Sequence, residues 1–384
     1  MKSWIALLLA LSFLMIPTTG AQAAELDVPA PSAILMDAAT GTVLYEKNAH
    51  ERLAPASVTK VMTLLLVMEA LDKGQISWDD KVTASSAASA KGGSQIYLEP
   101  GEQLSMDEML KSVVVSSAND CATALAEHVA GSESTFVSLM NERAAELGLE
   151  DTHFVNCTGL DDEPNAAEHL TSAYDLAIMS RELLRHDRIR DYTTFWMDTV
   201  RDGKFGLSNT NKLVRFYDGT TGLKTGYTSA AGHCLSASAK RDGMELIAVV
   251  LHCGSSADRF ESAKTLLNYG FANYALVDTT PAEPLVPVKV SLGVQDLVTP
   301  VLQTTAPILI EKSELSRITK TVDLTPTVDA PVSQGQQLGT MTVAAGDRVL
   351  AEIPIEAGSS VDRLGLWQLT VKLLRKMCMA EETQ

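Results

Sequence analysis

The 384-residue sequence is poor in basic residues relative to acidic ones, with 31 Lys and Arg against 48 Asp and Glu and a formal charge of −17. Binding to nucleic acid requires a lysine- and arginine-rich face, so no nucleic-acid partner is expected. Cysteine is scarce: Cys121, Cys157, Cys234, Cys253 and Cys378 are odd in number and scattered, which implies no disulfide framework. Neither they nor the seven histidines, which form no H-E-x-x-H pattern, have metal-ligand spacing, so no metal and no other cofactor is expected. Past the N-terminus no stretch approaches the ~18 uninterrupted apolar residues of a transmembrane helix.

What is present is a globular composition, 46% hydrophobic and 21% charged, in a chain long enough for two unequal domains. The first residues run Lys2, an apolar stretch from Ile5 to Ile16, a Pro17/Gly20 break and Ala21-Gln22-Ala23. This is the order of a secretory signal peptide, and its apolar run is too short to span a bilayer comfortably. Residues 1–23 are therefore excluded from the fold, and the mature protein is expected to be exported.

Ala33–Asp37 and Thr42–Tyr45 read as a hairpin about Ala38-Ala39-Thr40-Gly41. From Val58 to Leu71 the residues Val61, Leu64, Leu65, Met68 and Leu71 have helical spacing, and helices follow over 106–149 and Ser172–Leu184. Strand character returns over Gly222–Ala239 and Glu245–His252 around Arg241-Asp242-Gly243. Pairing Lys240 with Met244 there sets Cys234 opposite Val250, away from Cys253. An α+β domain is expected over 24–277, an antiparallel sheet built from both chain ends with helices packed on it. Near residue 278 prolines appear, and period-two runs such as Val286, Val288, Val290, Leu292 and Val294 recur to Ile355. Residues 278–357 therefore read as a small all-β domain without histidine or cysteine, a spacer or interaction module.

Three short motifs carry chemistry: Ser57-Val58-Thr59-Lys60, Ser117-Ala118-Asn119 and Lys224-Thr225-Gly226. Ser57 is the only serine with lysine three residues on, and Ser117 the only one with asparagine two on. Lys60, one helical turn after Ser57, can reach its hydroxyl, and a base beside a nucleophile is what acyl transfer needs. The blander readings are a helix N-cap for Ser57 and a snorkelling surface lysine for Lys60. An unperturbed lysine with pKa ~10.4 is almost never neutral at pH 7, so burial and the charge of Lys224 are expected to depress it. Lys224 and Thr225 can hold a carboxylate, with Gly226 allowing close approach of a substrate backbone. Ser117 and Asn119 fall at a break between helices, where they can relay a proton and bind an amide, or simply cap.

This trio resembles the signature of the penicillin-recognising serine enzymes. Leu53–Thr63, His169–Ala177, Asn209–Leu213 and Asp218–Thr228 extend the likeness to the low-molecular-weight penicillin-binding proteins, the D-Ala-D-Ala carboxypeptidases of peptidase family S11. The resemblance implies a β-lactamase/transpeptidase-like fold and removal of the terminal D-alanine from peptidoglycan stem peptides ending in D-Ala-D-Ala, with β-lactams as covalent inhibitors. It implies Ser57 as nucleophile, Lys60 as base, and Ser117 passing the proton to the leaving amine. Asn119 would hold the substrate amide, Lys224 and Thr225 its carboxylate, and the backbone N–H groups of Ser57 and Tyr227 the oxyanion. His169 and Asp175 are read as supports of the site, and Arg259 either assists the carboxylate or serves the fold. The rivals are a β-lactamase, for whose extra glutamate Glu163-Pro164-Asn165 is only an echo, and a catalytically silent wall-binding protein.

Between Arg363 and Met379 the residues Leu364, Trp367, Leu369, Val371, Leu373, Leu374 and Met377 leave a narrow polar stripe of Gln368, Lys372, Arg375 and Lys376. An amphipathic helix over 362–379 with a basic face is expected, suited to an anionic membrane surface at the outer side of the cytoplasmic membrane.

Overall fold

The computed structural model describes residues 26–162 and 165–380, with side chains as far as residue 374. The expected signal peptide, and Glu163 and Pro164, lie outside the described residues. The opening hairpin is formed by strands β1 (Ser32–Asp37) and β2 (Val43–Lys47). They join β3 (Thr220–Thr228), β4 (Gly232–Arg241) and β5 (Met244–Cys253) in one antiparallel sheet of order β2-β1-β5-β4-β3. Strands from both ends of this region thus share a sheet, as the pattern of the sequence implies.

Alternation along the strands sends Ile34, Met36, Ile247, Val249 and Leu251 to one apolar core and Ala33, Leu35, Leu246, Ala248 and Val250 to another. The first core is filled by helices α1 (Lys60–Asp72), α2 (Met106–Val115), α3 (Asn119–Ala130), α4 (Glu133–Glu146) and α5 (Ala173–Leu184). The second is closed by α6 (Ser256–Asn273) through Phe260, Leu266, Leu267 and Phe271. Helix α1 is buried from Lys60 to Met68 without a break. It is therefore a central core helix, the largely buried helix that its apolar run predicts. It also begins later than Val58, because Ala56–Thr59 form a 3-10 turn ahead of it.

The β4–β5 hairpin differs by one residue from the expected register. Arg241 pairs with Met244 and Lys240 with Glu245, so the turn is the two-residue Asp242-Gly243, both with positive φ. An irregularity between His233 and Leu235 then sets Leu235 opposite Val250 and His233 opposite Cys253. Cys121, Cys157, Cys234 and Cys253 are buried free thiols, and the Cys378 side chain lies beyond the described ones.

After α6 the chain becomes all-β. Gln337–Ala345 and Arg348–Ala357 form the centre of a four-stranded sheet flanked by Pro300–Leu302 and Ile318–Leu324, and a three-stranded sheet includes Val288–Ser291. Val288 and Val290 are buried as the alternation implies, but Val286, Leu292 and Val294 are exposed, so the strand is shorter than the run. Helix α7 (Leu366–Ala380) follows. Among the described residues no helix is long and apolar enough to cross a membrane.

Candidate active site

Ser57 sits in the 3-10 turn at the foot of α1, half-buried. The preceding Ala56 holds a left-handed backbone, φ +49°, which L-residues rarely adopt and which marks a constrained turn. Lys60 begins α1 and is 0% exposed. Its Nζ donates to Ser57 Oγ at 3.0 Å, to Asn119 Oδ1 at 2.5 Å and to the Thr158 carbonyl at 2.9 Å. Burial pushes its pKa down to about 7, with Cys157 and Asp120 pulling weakly the other way. A surface, snorkelling lysine is thereby excluded, and Lys60 has an appreciable neutral fraction near pH 7.

The second motif lies in the break between α2 and α3. Ser117 is buried with φ +63°, a second left-handed non-glycine residue at the site. Asn119 opens α3; its Oδ1 accepts from Lys60 while its Nδ2 donates to the Gly92 carbonyl at 2.7 Å. Both polar atoms of this amide are therefore already engaged, one of them in holding Lys60.

Strand β3 brings the third motif alongside the turn that carries Ser57. Lys224 is 1% exposed and donates to the Thr225 carbonyl at 2.9 Å, and Thr225 Oγ1 donates to Thr210 Oγ1 at 2.6 Å. The Lys224 ammonium is disfavoured first by burial and then by repulsion from Lys60 and Arg259. The expected repulsion between the two lysines is thus present, and it bears on Lys224. At Gly226 a Cβ would stand 2.6 Å from the Pro55 carbonyl oxygen and 3.1 Å from the Ser57 nitrogen. Gly226 thus also admits a close approach of the chain's own Ser57 turn, which the sequence could not reveal. The contact brings the Ser57 amide beside the strand end that carries Tyr227. The Tyr227 ring is exposed and stacked on His233, with centroids 4.4 Å apart.

Further groups support the site, some of them without a signal in any motif. The Thr158 carbonyl has no signal in a motif, being a backbone atom 98 residues from Lys60. Thr210 and Asn211 stand in the quoted Asn209–Leu213 segment; Asn211 Nδ2 donates to the Gly222 carbonyl at 3.0 Å and so props β3. Arg259 is buried behind the same strand, donating to the carbonyls of Gly226 at 3.0 Å and Cys234 at 3.4 Å. Asp175 accepts from the Asp151 N–H and the Thr152 hydroxyl, while His169 contacts Thr59 directly.

A hydroxyl bonded to a buried amine of lowered pKa, beside a second buried lysine and a glycine-tight strand, is equipped for acyl transfer to serine. Residues 18–255 match the peptidase S11 family, D-alanyl-D-alanine carboxypeptidase, and residues 282–363 match the C-terminal domain of penicillin-binding protein 5. The D-alanyl-D-alanine carboxypeptidase DacF of Bacillus subtilis is 43% identical over 90% of this chain and 89% of its own. Penicillin-binding protein 5 from Haemophilus influenzae superposes with a TM-score of 0.74 at 30% identity, covering 88% of this chain and 98% of its own. Penicillin-binding protein D2 from Listeria monocytogenes, solved in an ampicillin-bound form, superposes with a TM-score of 0.59 at 31% identity over 64% of this chain and 99% of its own. With this match to both sequence and fold, the chain belongs to the serine D-alanyl-D-alanine carboxypeptidases of peptidase family S11.

Proposed function

We propose that this carboxypeptidase releases the terminal D-alanine of peptidoglycan stem peptides through an acyl-enzyme on Ser57. The observation that carries this reading is the 3.0 Å hydrogen bond from the fully buried Lys60 to the Ser57 hydroxyl. Neutral Lys60 takes the proton of Ser57 as the oxygen attacks the penultimate carbonyl. The N–H groups of Ser57 and Tyr227 hold the oxyanion, and Ser117 carries the proton on to the departing amine. Lys224 and Thr225 receive the terminal carboxylate, whose charge offsets the repulsion that disfavours the Lys224 ammonium in the free protein. Asn119 holds Lys60 in place and uses its remaining hydrogen-bonding capacity on the substrate amide. Gly226 serves this arrangement by letting β3 lie against the nucleophile turn. Water then frees the shortened peptide. β-Lactams, such as the ampicillin held by the Listeria relative, acylate the same serine.

Labelled penicillin followed by release kinetics tests this reading: slow release is expected, while rapid turnover would indicate a β-lactamase and absence of label a silent wall-binding protein. The pH dependence is a second check. Lys60 acts as base only when neutral, and its neutral fraction grows as pH rises through about 7. The acylation rate constant should therefore climb about tenfold per pH unit below that point and level off above it. A flat profile from about pH 5.5 to 8.5 would remove Lys60 as the base.

We further propose that residues 24–277 form the catalytic unit and 278–357 a spacer that leads to a membrane contact through 362–379, in a protein exported after loss of 1–23. Every site residue, from Ser57 to Tyr227, lies in the first of these regions. Support for the membrane contact comes from how α7 is seated. Lys372 Nζ donates to the Gly293 carbonyl at 3.1 Å and pairs with Asp296, and Leu369 and Val371 beside it are half-buried. Leu366 and Trp367 are 88% and 78% exposed, and Leu373 and Leu374 are exposed beside them. A helix packed only to complete its own domain would turn these residues inward. Their burial in a bilayer, with ~1 kcal/mol from each basic residue near an anionic surface, supplies a driving force of several kcal/mol. Removal of residues 362–384 is expected to abolish sedimentation with anionic liposomes without lowering carboxypeptidase activity. Equal sedimentation of both forms would defeat the anchor.

A further inference from the structure

The turn that presents Ser57 is held from three sides. Strand β3 closes one side at Gly226, where a Cβ would strike the Pro55 carbonyl. Gly159 closes a second: a Cβ there would stand 1.8 Å from the Ala56 carbonyl oxygen and 2.7 Å from Thr59 Oγ1, so this loop touches the turn directly. The third is a hydrogen-bond chain. The Val155 N–H donates to His169 Nδ1 at 3.1 Å, which leaves the proton of a neutral ring on Nε2. That Nε2 lies 2.8 Å from Thr59 Oγ1, and the Thr59 hydroxyl in turn donates to the Ala56 carbonyl at 2.8 Å. The polarity of every link follows from the first: His169 donates to Thr59, so Thr59 has its own proton free for Ala56.

His169 is well suited to keep that polarity. It is 4% exposed, meets Phe154 edge-on with centroids 5.6 Å apart, and burial followed by the nearby His153 holds its pKa down at about 4. The imidazole is therefore neutral at physiological pH and cannot serve as a proton carrier for Ser57, which it does not touch. Its effect is on Ala56, the residue whose left-handed backbone sets the direction in which the next residue, Ser57, leaves the turn.

We propose that His169 is a positioning residue for acylation: through Thr59 it pins the Ala56 carbonyl and so fixes the turn that aims Ser57 at the substrate. The proposal rests on Ser57 being the nucleophile. It assigns a defined part in the reaction to a histidine 110 residues away from the Thr59 it holds. The contribution is made in the transition state, because a turn that wanders costs alignment of attacking oxygen and oxyanion donor rather than substrate affinity.

The test is a double-mutant cycle in the full-length protein, read by the second-order rate constant for labelling with penicillin. Thr59→Val removes the hydroxyl at nearly constant shape, and His169→Leu removes the donor. Each is expected to slow acylation about 10-fold, with kcat for a D-Ala-D-Ala peptide falling and KM unchanged. The double variant should be no slower than either single one, since all three break the same chain. Thr59→Ser and His169→Gln, which keep a hydroxyl and an N–H donor, should stay within about 3-fold of the parent. Wild-type acylation by Thr59→Val, multiplicative losses in the double variant, or a His169→Gln variant no better than His169→Leu would each overturn the proposal. If His169→Leu does not fold, the Thr59→Val and Thr59→Ser pair makes the same comparison. Persistent labelling of Ser57→Ala would remove the nucleophile assignment itself, whereas an unlabelled Ser57→Ala with a normal Thr59→Val removes the positioning role alone.

Discussion

Ser57→Ala is expected to abolish penicillin labelling and to cut D-alanine release by at least ~10³-fold, since loss of a nucleophile leaves only binding and the oxyanion donors. The fold should survive. Ser57 is half-buried in a turn whose backbone is held by Gly159, Gly226 and Thr59, none of which touches its hydroxyl in that role. Lys60 loses one of three acceptors and keeps Asn119 and the Thr158 carbonyl, a change worth about 1 kcal/mol. The variant should therefore melt close to the parent while being inert. Melting temperature, intact-mass labelling and D-alanine release measured on one preparation decide the matter, and a covalent penicillin adduct on Ser57→Ala would refute the assignment.

The second large effect is expected at Lys224. This lysine is buried, pairs with no acidic side chain among the described residues, and donates only to the neighbouring Thr225 carbonyl. A buried cation without a counter-ion is costly, and repulsion from Lys60 and Arg259 disfavours its charge further. Such a group contributes little to the free protein and a great deal to a ligand that brings a carboxylate. Lys224→Ala should accordingly lower kcat/KM for D-Ala-D-Ala peptides by ~10²–10³-fold while leaving the melting temperature unchanged or slightly raised. The loss should be far smaller for a peptide whose terminal carboxylate is amidated, because that substrate never had the ion pair to lose. Unchanged kcat/KM on the free-acid peptide would rule out the carboxylate role, and a large fall in melting temperature would make Lys224 a structural residue instead.

His169 and Asp175 show why a motif alone cannot rank its residues. They lie six positions apart in one recognisable segment, and both read as supports of the site. Asp175 accepts from Asp151 and Thr152, whereas His169 reaches Thr59 in the Ser57 turn. The difference comes from the path of the chain: Ser172 caps α5, and the residues before it cross back beneath the turn through the Leu53–Thr171 bridge.

By itself the sequence determined what depends on short spacing. Ser57 and Lys60, three residues apart, meet because one helical turn brings i and i+3 together, and the opening hairpin follows from alternation about a turn. Asp242-Gly243 also states a turn locally, although only the paired strands show that it is two residues long and so shift the register by one. Tertiary structure alone decided the rest, because it turns on atoms far apart in the chain. The pKa of Lys60 is set by burial among groups 59 and 98 residues away, which no window of sequence contains. The use of Gly226 is decided by the Pro55–Ser57 turn packed on it, and the exposure of Leu366 and Trp367 by the way α7 is seated beside Gly293. Side-chain type and periodicity specify which elements form; burial and the partner that arrives from elsewhere in the chain decide what each polar group in them can do.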